Sequence, residues 1–485
     1  MIKLKIDTKK KHEISPYLYM QFMEPLSITD SSVDAAWDYA KGEWYPSVID
    51  ATRDLAPTMI RYGGCFASYY HWKEAVGPRE SRKPMINYAW GGLVSNHVGT
   101  HEVIDFCRKV GAEPLLVANM ESEGIKAWQY PEGGGVRLGT ADEAAEWVDY
   151  CNNPDNALRI SHGAVDPYGV KYWQIGNETS YGSYGYTPGH QPGFELDECF
   201  EATERFAAKM REKDPTIKII GWGDRRTYAD KGNWCKKMSE AEGIDMLAFH
   251  HHFGSGLPDS PLYGTKYRDD AENTWMHLMN AYKSIGDDID RMRADCGTKR
   301  LAMTEGHFAL PGRNRNEVLS SWGAGVAYAR CLNVIMRNSD ILDIATMADF
   351  FGNVWQVNAM MIPTPIRTGK PYLQPVGSVM RLFGKYQGKH ALDISYNGSI
   401  DAVASATDNT VYLHIANTDM NYAQQIELDL GSEISDGEIT YIAVHPTVEI
   451  TPDNTEVFTP VTKKLEGGKF TLAPAAVAAV KITLK

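Results

Sequence analysis

Eight times between positions 17 and 351 a short apolar run ends in, or is followed at once by, a polar residue or a glycine, with helix-period sequence between the runs. The runs occupy 17–24, 58–64, 114–119, 170–176, 217–221, 245–250, 300–307 and 344–351. One interval shows the helical period plainly: Val103, Phe106, Cys107 and Val110 fall at i, i+3, i+4 and i+7, and Gly111 stops the pattern. Strand and helix in alternation predict a parallel sheet, and eight such units predict a (β/α)8 TIM barrel over residues 13–388. A barrel of this kind delivers polar groups to the C-terminal ends of its strands, where an active site can be assembled.

From about residue 389 the texture changes. Runs such as Thr410-Val411-Tyr412-Leu413-His414-Ile415 and Ile439-Thr440-Tyr441-Ile442 are joined by Gly, Asp and Asn turns, and helical spacing disappears. This predicts a β-sandwich domain over 389–485, with the alternating segment in residues 1–12 joining it. A chain of 485 residues exceeds one ordinary domain, in keeping with two. The formal charge of −13 and the lack of a basic run argue against nucleic acid as a partner. Seven scattered cysteines read as free thiols of a reducing compartment. Neither a secretory leader nor an apolar run of membrane-spanning length is visible, so a cytoplasmic protein is expected.

The stretch VKYWQIGNETS, from Val170 to Ser180, is the most informative single run. An apolar strand meets Gly176 and ends in Asn177 and Glu178, which would then face a pocket at the barrel mouth. Taken alone, an Asn-Glu pair reads as an exposed loop. A second carboxylate in the same setting changes that: Leu301-Ala302-Met303-Thr304 ends in Glu305 and Gly306. Two strand-end glutamates three units apart can face each other across the mouth, and cleavage of a glycosidic bond needs a proton donor and a facing carboxylate.

RYGGCFASYYHW, GPRE, GTHEVIDFCRKVGAEPLLVANM and YWQIGNE, in this order and spacing, resemble the glycoside hydrolase family 51 α-L-arabinofuranosidases, members of the clan of barrel hydrolases with acid/base and nucleophile on strands four and seven. The resemblance implies that Glu178 is the acid/base, Asn177 a ligand of the sugar 2-hydroxyl, Glu305 the nucleophile, and Glu24 and Arg61 polar partners in the site. It also implies a homo-oligomer. The chain departs from the family pattern at several sugar-contacting positions. Tyr62-Gly63-Gly64-Cys65 replaces Pro and Asn around the paired glycines, Thr304 and Gly306 replace Asp and an aromatic around the nucleophile, and a strand-six histidine replaces tyrosine. The family's strand-eight glutamine falls on Gly352, or on Gln356 with a shift.

Cys65, Trp90, His250, His252 and Gln356 complete the expected substrate-binding set. His250 and His252 share one side of a strand, since alternate residues do, and are expected to hydrogen-bond near Glu305 or the sugar rather than bind a metal. Of Trp90, Trp173, Trp322 and Trp355, only Trp90, beside a Gly-Gly loop, is taken as a sugar platform. Gly133-Gly134-Gly135 lacks the strand and helix context of a phosphate cradle. The reading is thus a retaining exo-glycosidase needing no cofactor, acting on terminal α-L-arabinofuranosides. Two alternatives stay open: the same mechanism on a galactofuranoside or another pentoside, and a non-catalytic carbohydrate-binding protein on this scaffold.

Overall fold

The computed structural model describes residues 1–122, 138–181, 194–225, 231–312 and 315–485; the Gly133-Gly134-Gly135 segment lies outside the described residues. Eight strands follow one another in chain order: β1 Gln21–Met23, β2 Met59–Tyr62, β3 Glu113–Ala118, β4 Tyr172–Ile175, β5 Lys218–Trp222, β6 Met246–Phe253, β7 Arg300–Phe308 and β8 Leu342–Ala345. Each pairs in parallel with the next. The last returns to the first. Tyr17 bridges Ile344, the Met20 N–H donates to Ala345 O at 2.9 Å, and the Ala345 N–H donates to Tyr17 O at 3.1 Å. Every residue of β2 and β4 is buried, including the polar Arg61 and Gln174, so neither strand shows the alternation of a half-exposed one.

The helix Thr100–Val110 ends where Gly111 takes a left-handed φ of 77° and donates to Cys107 O. Helices such as this cover the sheet and share one large core with it.

Strand eight does not run unbroken over 344–351. After β8 the chain leaves the ladder and resumes it at Asp349–Gly352, where Asp349 pairs with Phe22 of β1. The Thr346 hydroxyl donates to Ala348 O at 3.0 Å, a local turn bond that competes with the sheet. By contrast β6 and β7 run farther than the sequence pattern suggests, pairing on through His250↔Glu305 to Phe253↔Phe308.

The C-terminal strands form one hydrogen-bonded series of nine: Val461–Lys464, Ile434–Ile442, Val477–Leu484, Thr410–Asn417, Ile400–Thr407, His390–Ser395, Ile2–Asp7, Gln424–Asp429 and Lys469–Leu472. The N-terminal strand is antiparallel to His390–Ser395 and parallel to Gln424–Asp429. A second core, including Leu4, Ile6, Leu413, Ile415, Val480 and Ile482, belongs to this sheet.

The helix Trp322–Arg337 joins the two parts. Trp322 Nε1 donates to Ala475 O at 2.7 Å, and buried Asp401 accepts from Asn333 at 3.0 Å, from Arg330 at 3.2 Å and from Arg337. Removing one side of a buried ionic cluster strands the other side's charge. Asp401→Ala is therefore expected to cost about 3 kcal/mol, at the low end for such pairs because Arg337 is partly exposed. Denaturant unfolding checks this, and an unchanged midpoint would show that the arginines find other partners.

Candidate active site

Arg61, the third residue of β2, has no solvent exposure and ties three strands together. Its Nε donates to Gln174 Oε1 of β4 at 3.0 Å, Nη1 to Glu305 Oε1 of β7 at 2.9 Å, and Nη2 to Asn177 Oδ1 at 2.6 Å. A guanidinium withdrawn from water must be paired and hydrogen-bonded, so these bonds fix both glutamate-bearing strand ends relative to β2. Asn177 Nδ2 is buried and makes no hydrogen bond among the described residues.

Past β4 the chain turns sharply. Gly176 has φ 69°, and a Cβ there would meet Thr179 Cγ2 at 2.5 Å, so only glycine fits. Glu178 itself has φ 48°, a left-handed conformation uncommon outside glycine and often found at functional sites.

Gly64, at φ 132°, performs a comparable service on β2's side. A Cβ there would lie 2.2 Å from the Glu24 carboxylate, which occupies that space. Glu24 Oε1 accepts from Phe66 N at 2.9 Å and Trp90 Nε1 at 2.8 Å. Burial, then the Glu305 charge, push the Glu24 pKa up to about 8, against the pull of those bonds and of Arg61. Burial and the surrounding carboxylates also push the Cys65 thiol well above its usual range, so it stays protonated.

β6 and β7 slip by one residue at Phe249/His250. Phe249 pairs with Met303 but His250 with Glu305, leaving Thr304 as an extra residue on β7. The slip brings Glu305 abreast of His250, whose Nδ1 lies 2.8 Å from Glu178 Oε1 and 3.5 Å from Glu305 Oε2. His250 Nε2 meets Thr304 Oγ1 at 3.0 Å. His252 Nε2 is 3.9 Å from Glu305 Oε2, whereas His251 points away to Asp288 and Ser284. One ligand atom from each of Glu178, His250 and Glu305 lies within 4.8 Å of the others, a donor set a cation could use. Arg61 on Glu305 and Thr304 on His250 already engage two of the three in hydrogen bonds.

A cavity of about 220 Å³ opens here, lined by Phe22, Glu24, Cys65, Trp90, Glu178, His252, Glu305, His307, Ala309, Asp349 and Trp355. Among the expected residues, Glu24, Cys65, Trp90, Glu178, His252 and Glu305 reach its wall. Arg61, Asn177 and His250 do not line it and lie buried nearby, with Arg61 and His250 hydrogen-bonded to the glutamates. Gln356 is half-buried and not on the wall, where its neighbour Trp355 stands instead, edge-on to Trp90 at 5.3 Å. The reason is local. A Cβ on Gly352 would lie 2.0 Å from Asp30 Oδ2, and Asp30 Oδ1 accepts from the N–H groups of Asn353, Val354 and Trp355, fixing the turn that carries Trp355. Trp173 and Trp322 belong to the core.

His307, Asp349, Phe22, Ala309 and Trp355 were not foreseen as wall residues. His307 Nδ1 donates to Phe308 O at 2.6 Å, and burial lowers its pKa to about 4. Asp349 sits well above the carboxylate range through burial, then Glu305, Asp30 and Glu24. Burial thus favours the neutral form of both His307 and Asp349, whose Nε2 and Oδ1 stand 3.6 Å apart.

Two strand-end carboxylates this close, opening on a pocket at one end of a parallel sheet, put the protein among the glycoside hydrolases. Comparison with known proteins narrows the class. Residues 51–266 match the α-L-arabinofuranosidase 1 domain and 307–476 the α-L-arabinofuranosidase C-terminal domain. An intracellular exo-α-L-arabinofuranosidase of Bacteroides ovatus is 24% identical over 79% of this chain and 74% of its own. An intracellular exo-α-(1->5)-L-arabinofuranosidase of Bacillus subtilis is 30% identical over 56% of this chain, which spans only 50% of that relative. Among solved structures, the arabinose complex of the Thermotoga maritima α-L-arabinofuranosidase superposes with a TM-score of 0.75 at 23% identity, covering all of both chains. The Xanthomonas axonopodis pv. citri arabinofuranosidase does so at 0.80 and 18%, again over both whole chains. The chain belongs to the glycoside hydrolase family 51 α-L-arabinofuranosidases, and its fold is a TIM barrel followed by a C-terminal domain.

Glu24 yields a test of the site's electrostatics. An unfolded glutamate loses its proton near 4.5, whereas folded Glu24 keeps it to about 8. Between those values the folded state binds more protons, so this group's contribution to stability falls as pH rises through the window and levels off above it. Glu24→Gln removes the contribution. Urea unfolding from pH 5 to 9 is expected to show the variant gaining on wild type as pH rises, and parallel profiles would refute the assignment.

Proposed function

We propose that the protein is a retaining, exo-acting α-L-arabinofuranosidase with Glu178 as acid/base and Glu305 as nucleophile. It is built on a closed (β/α)8 barrel of residues 13–388, with residues 1–12 and 389–485 together forming a β-sandwich domain. The observation that carries this reading is the carboxylate pair, with oxygens within 4.8 Å of each other. Retaining glycosidases hold theirs about 5 Å apart, whereas inverting enzymes leave roughly 6.5–9.5 Å for a water. A cavity of about 220 Å³ suits a single terminal sugar ring and supports exo action.

Arg61 engages Glu305 Oε1, so Oε2 is the oxygen left to attack. Attack forms an ester between Oε2 and the anomeric carbon while the glycosidic bond breaks toward the leaving oxygen, which takes the Glu178 proton. In the second half Glu178, now a carboxylate, takes a proton from water as the water oxygen attacks the same carbon and releases Glu305. His250 steadies Glu178 in both halves. The Thr304 hydroxyl either donates or accepts, so the imidazole can carry its proton on either nitrogen as Glu178 alternates. Asn177 Nδ2, buried without a partner, is the donor for the 2-hydroxyl that the family resemblance implies. Glu24, Cys65, Trp90 and His252 contact the sugar from the wall, and Arg61 acts through Glu305.

Arabinofuranose is the sugar named for the relatives above. The same mechanism on another furanoside is the second reading, favoured by the pocket-wall histidines His252 and His307 and by Gly352. The relatives' intracellular names support a cytoplasmic enzyme, and no described helix is long and apolar enough to cross a membrane. A net charge of −13 argues against nucleic acid, and a homo-oligomer rests on the resemblance alone.

Two variants separate the roles. Glu305→Ala is expected to abolish hydrolysis of every substrate, with azide restoring no turnover of retained configuration. Near-native rates would overturn the nucleophile assignment.

Glu178→Ala is expected to slow substrates with poor leaving groups about 10²–10⁴-fold while barely slowing release of nitrophenolate, with a burst as the glycosyl-enzyme accumulates. Azide should then speed turnover and give a glycosyl azide of retained configuration. Equal slowing of all substrates without burst or rescue would remove Glu178 from the acid/base role.

A further inference from the structure

The nucleophile side of the pocket holds a carboxyl group that the two-glutamate chemistry leaves unused. Asp349 lines the cavity, is 5% exposed, and its Oδ1 makes no hydrogen bond among the described residues. The nearest candidate, His307 Nε2, stands off at 3.6 Å. A buried carboxyl oxygen is costly to leave without a hydrogen bond, so a ligand hydroxyl is a partner that would complete it. Asp349 lines the same cavity as the nucleophile Glu305 and Glu24, and the charges of both act on it. Its strand is continuous with the turn that sets Trp355 on the wall, and Gly352, three residues on, has no side chain to reach the sugar.

We propose that Asp349, with His307 beside it, is a specificity-determining residue that hydrogen-bonds one hydroxyl of the terminal sugar. Two features select the ligand. Among the described residues the cavity wall carries acids and neither arginine nor lysine, so nothing on it pairs the carboxylate of an anionic sugar such as a uronate, and a neutral sugar is favoured. His307 Nδ1 is committed to a backbone carbonyl, so in its neutral form Nε2 is an acceptor. A protonated Asp349 and this acceptor can receive and donate across a single hydroxyl. The pairing supplies a hydrogen-bonding capacity on strand eight independent of a glutamine at Gly352. It rests on the glycosidase reading above and adds a contact to it.

The test uses the full chain, with nitrophenyl α-L-arabinofuranoside and β-D-galactofuranoside and with analogues of each lacking one glycone hydroxyl at a time. Asp349→Ala is expected to lower kcat/KM on the intact preferred sugar about 10–100-fold and to have little effect on one deoxy analogue. Asp349→Asn, which keeps the shape, a donor and an acceptor, is expected to recover most of the loss. An equal loss on every analogue, or no loss at all, would overturn the proposal while leaving the glycosidase reading intact. Turnover of no furanoside by wild type would defeat that reading and the Asp349 proposal with it.

Discussion

The site depends on one buried charge pair. Arg61 and Glu305 are both withdrawn from water, and neither is tolerable there without the other. Because the guanidinium is planar and has donors to spare, the same group that neutralises Glu305 also grips Gln174 and Asn177. The distance between the two strand-end glutamates is thus set by a side chain on neither strand. A lysine could neutralise the charge but could not span the three partners in one plane.

Around that pair the pocket is crowded with acids that burial drives toward the neutral form. The Glu24 pKa is pushed up to about 8 and that of Asp349 well above the carboxylate range, while burial lowers His307 to about 4. Glu305 remains the charge that Arg61 answers. The paired glycines make the crowding feasible, because Glu24 occupies the space a side chain on Gly64 would need.

Much of this was legible in the sequence, for identifiable reasons. Glu178 and Glu305 announce themselves because each follows an apolar run and sits beside a glycine, a local pattern. Other features are properties of pairs of segments and leave no local mark. The slip that leaves Thr304 unpaired belongs to the register of β6 against β7, and the break in strand eight depends on a hydroxyl bonding within a turn. Trp355 displaces Gln356 from the wall because Asp30, more than 300 residues earlier, caps the turn between Gly352 and Trp355. Asp349 was hidden by its company, a polar residue inside MADFFG with aromatic neighbours. In the C-terminal domain the strands at 390–395, 400–407, 461–464 and 469–472 carry no clear run of their own, and 461–464 is exposed throughout and mostly polar, so only their neighbours in the sheet define them.

The place of Ile2–Asp7 between His390–Ser395 and Gln424–Asp429 bears on synthesis. On a ribosome adding about 5–20 residues per second, this strand emerges roughly 20–80 s before either neighbour exists. It is alternately apolar, with Leu4 and Ile6 destined for the second core, and for that interval both its edges are open. Residues 3, 5 and 9–11 are all lysine, and that concentration of positive charge keeps the waiting strand from pairing with another like it. The chain thus threads a whole barrel between Ile2–Asp7 and the strands it pairs with, and the lysines in and beside that strand protect it while it waits.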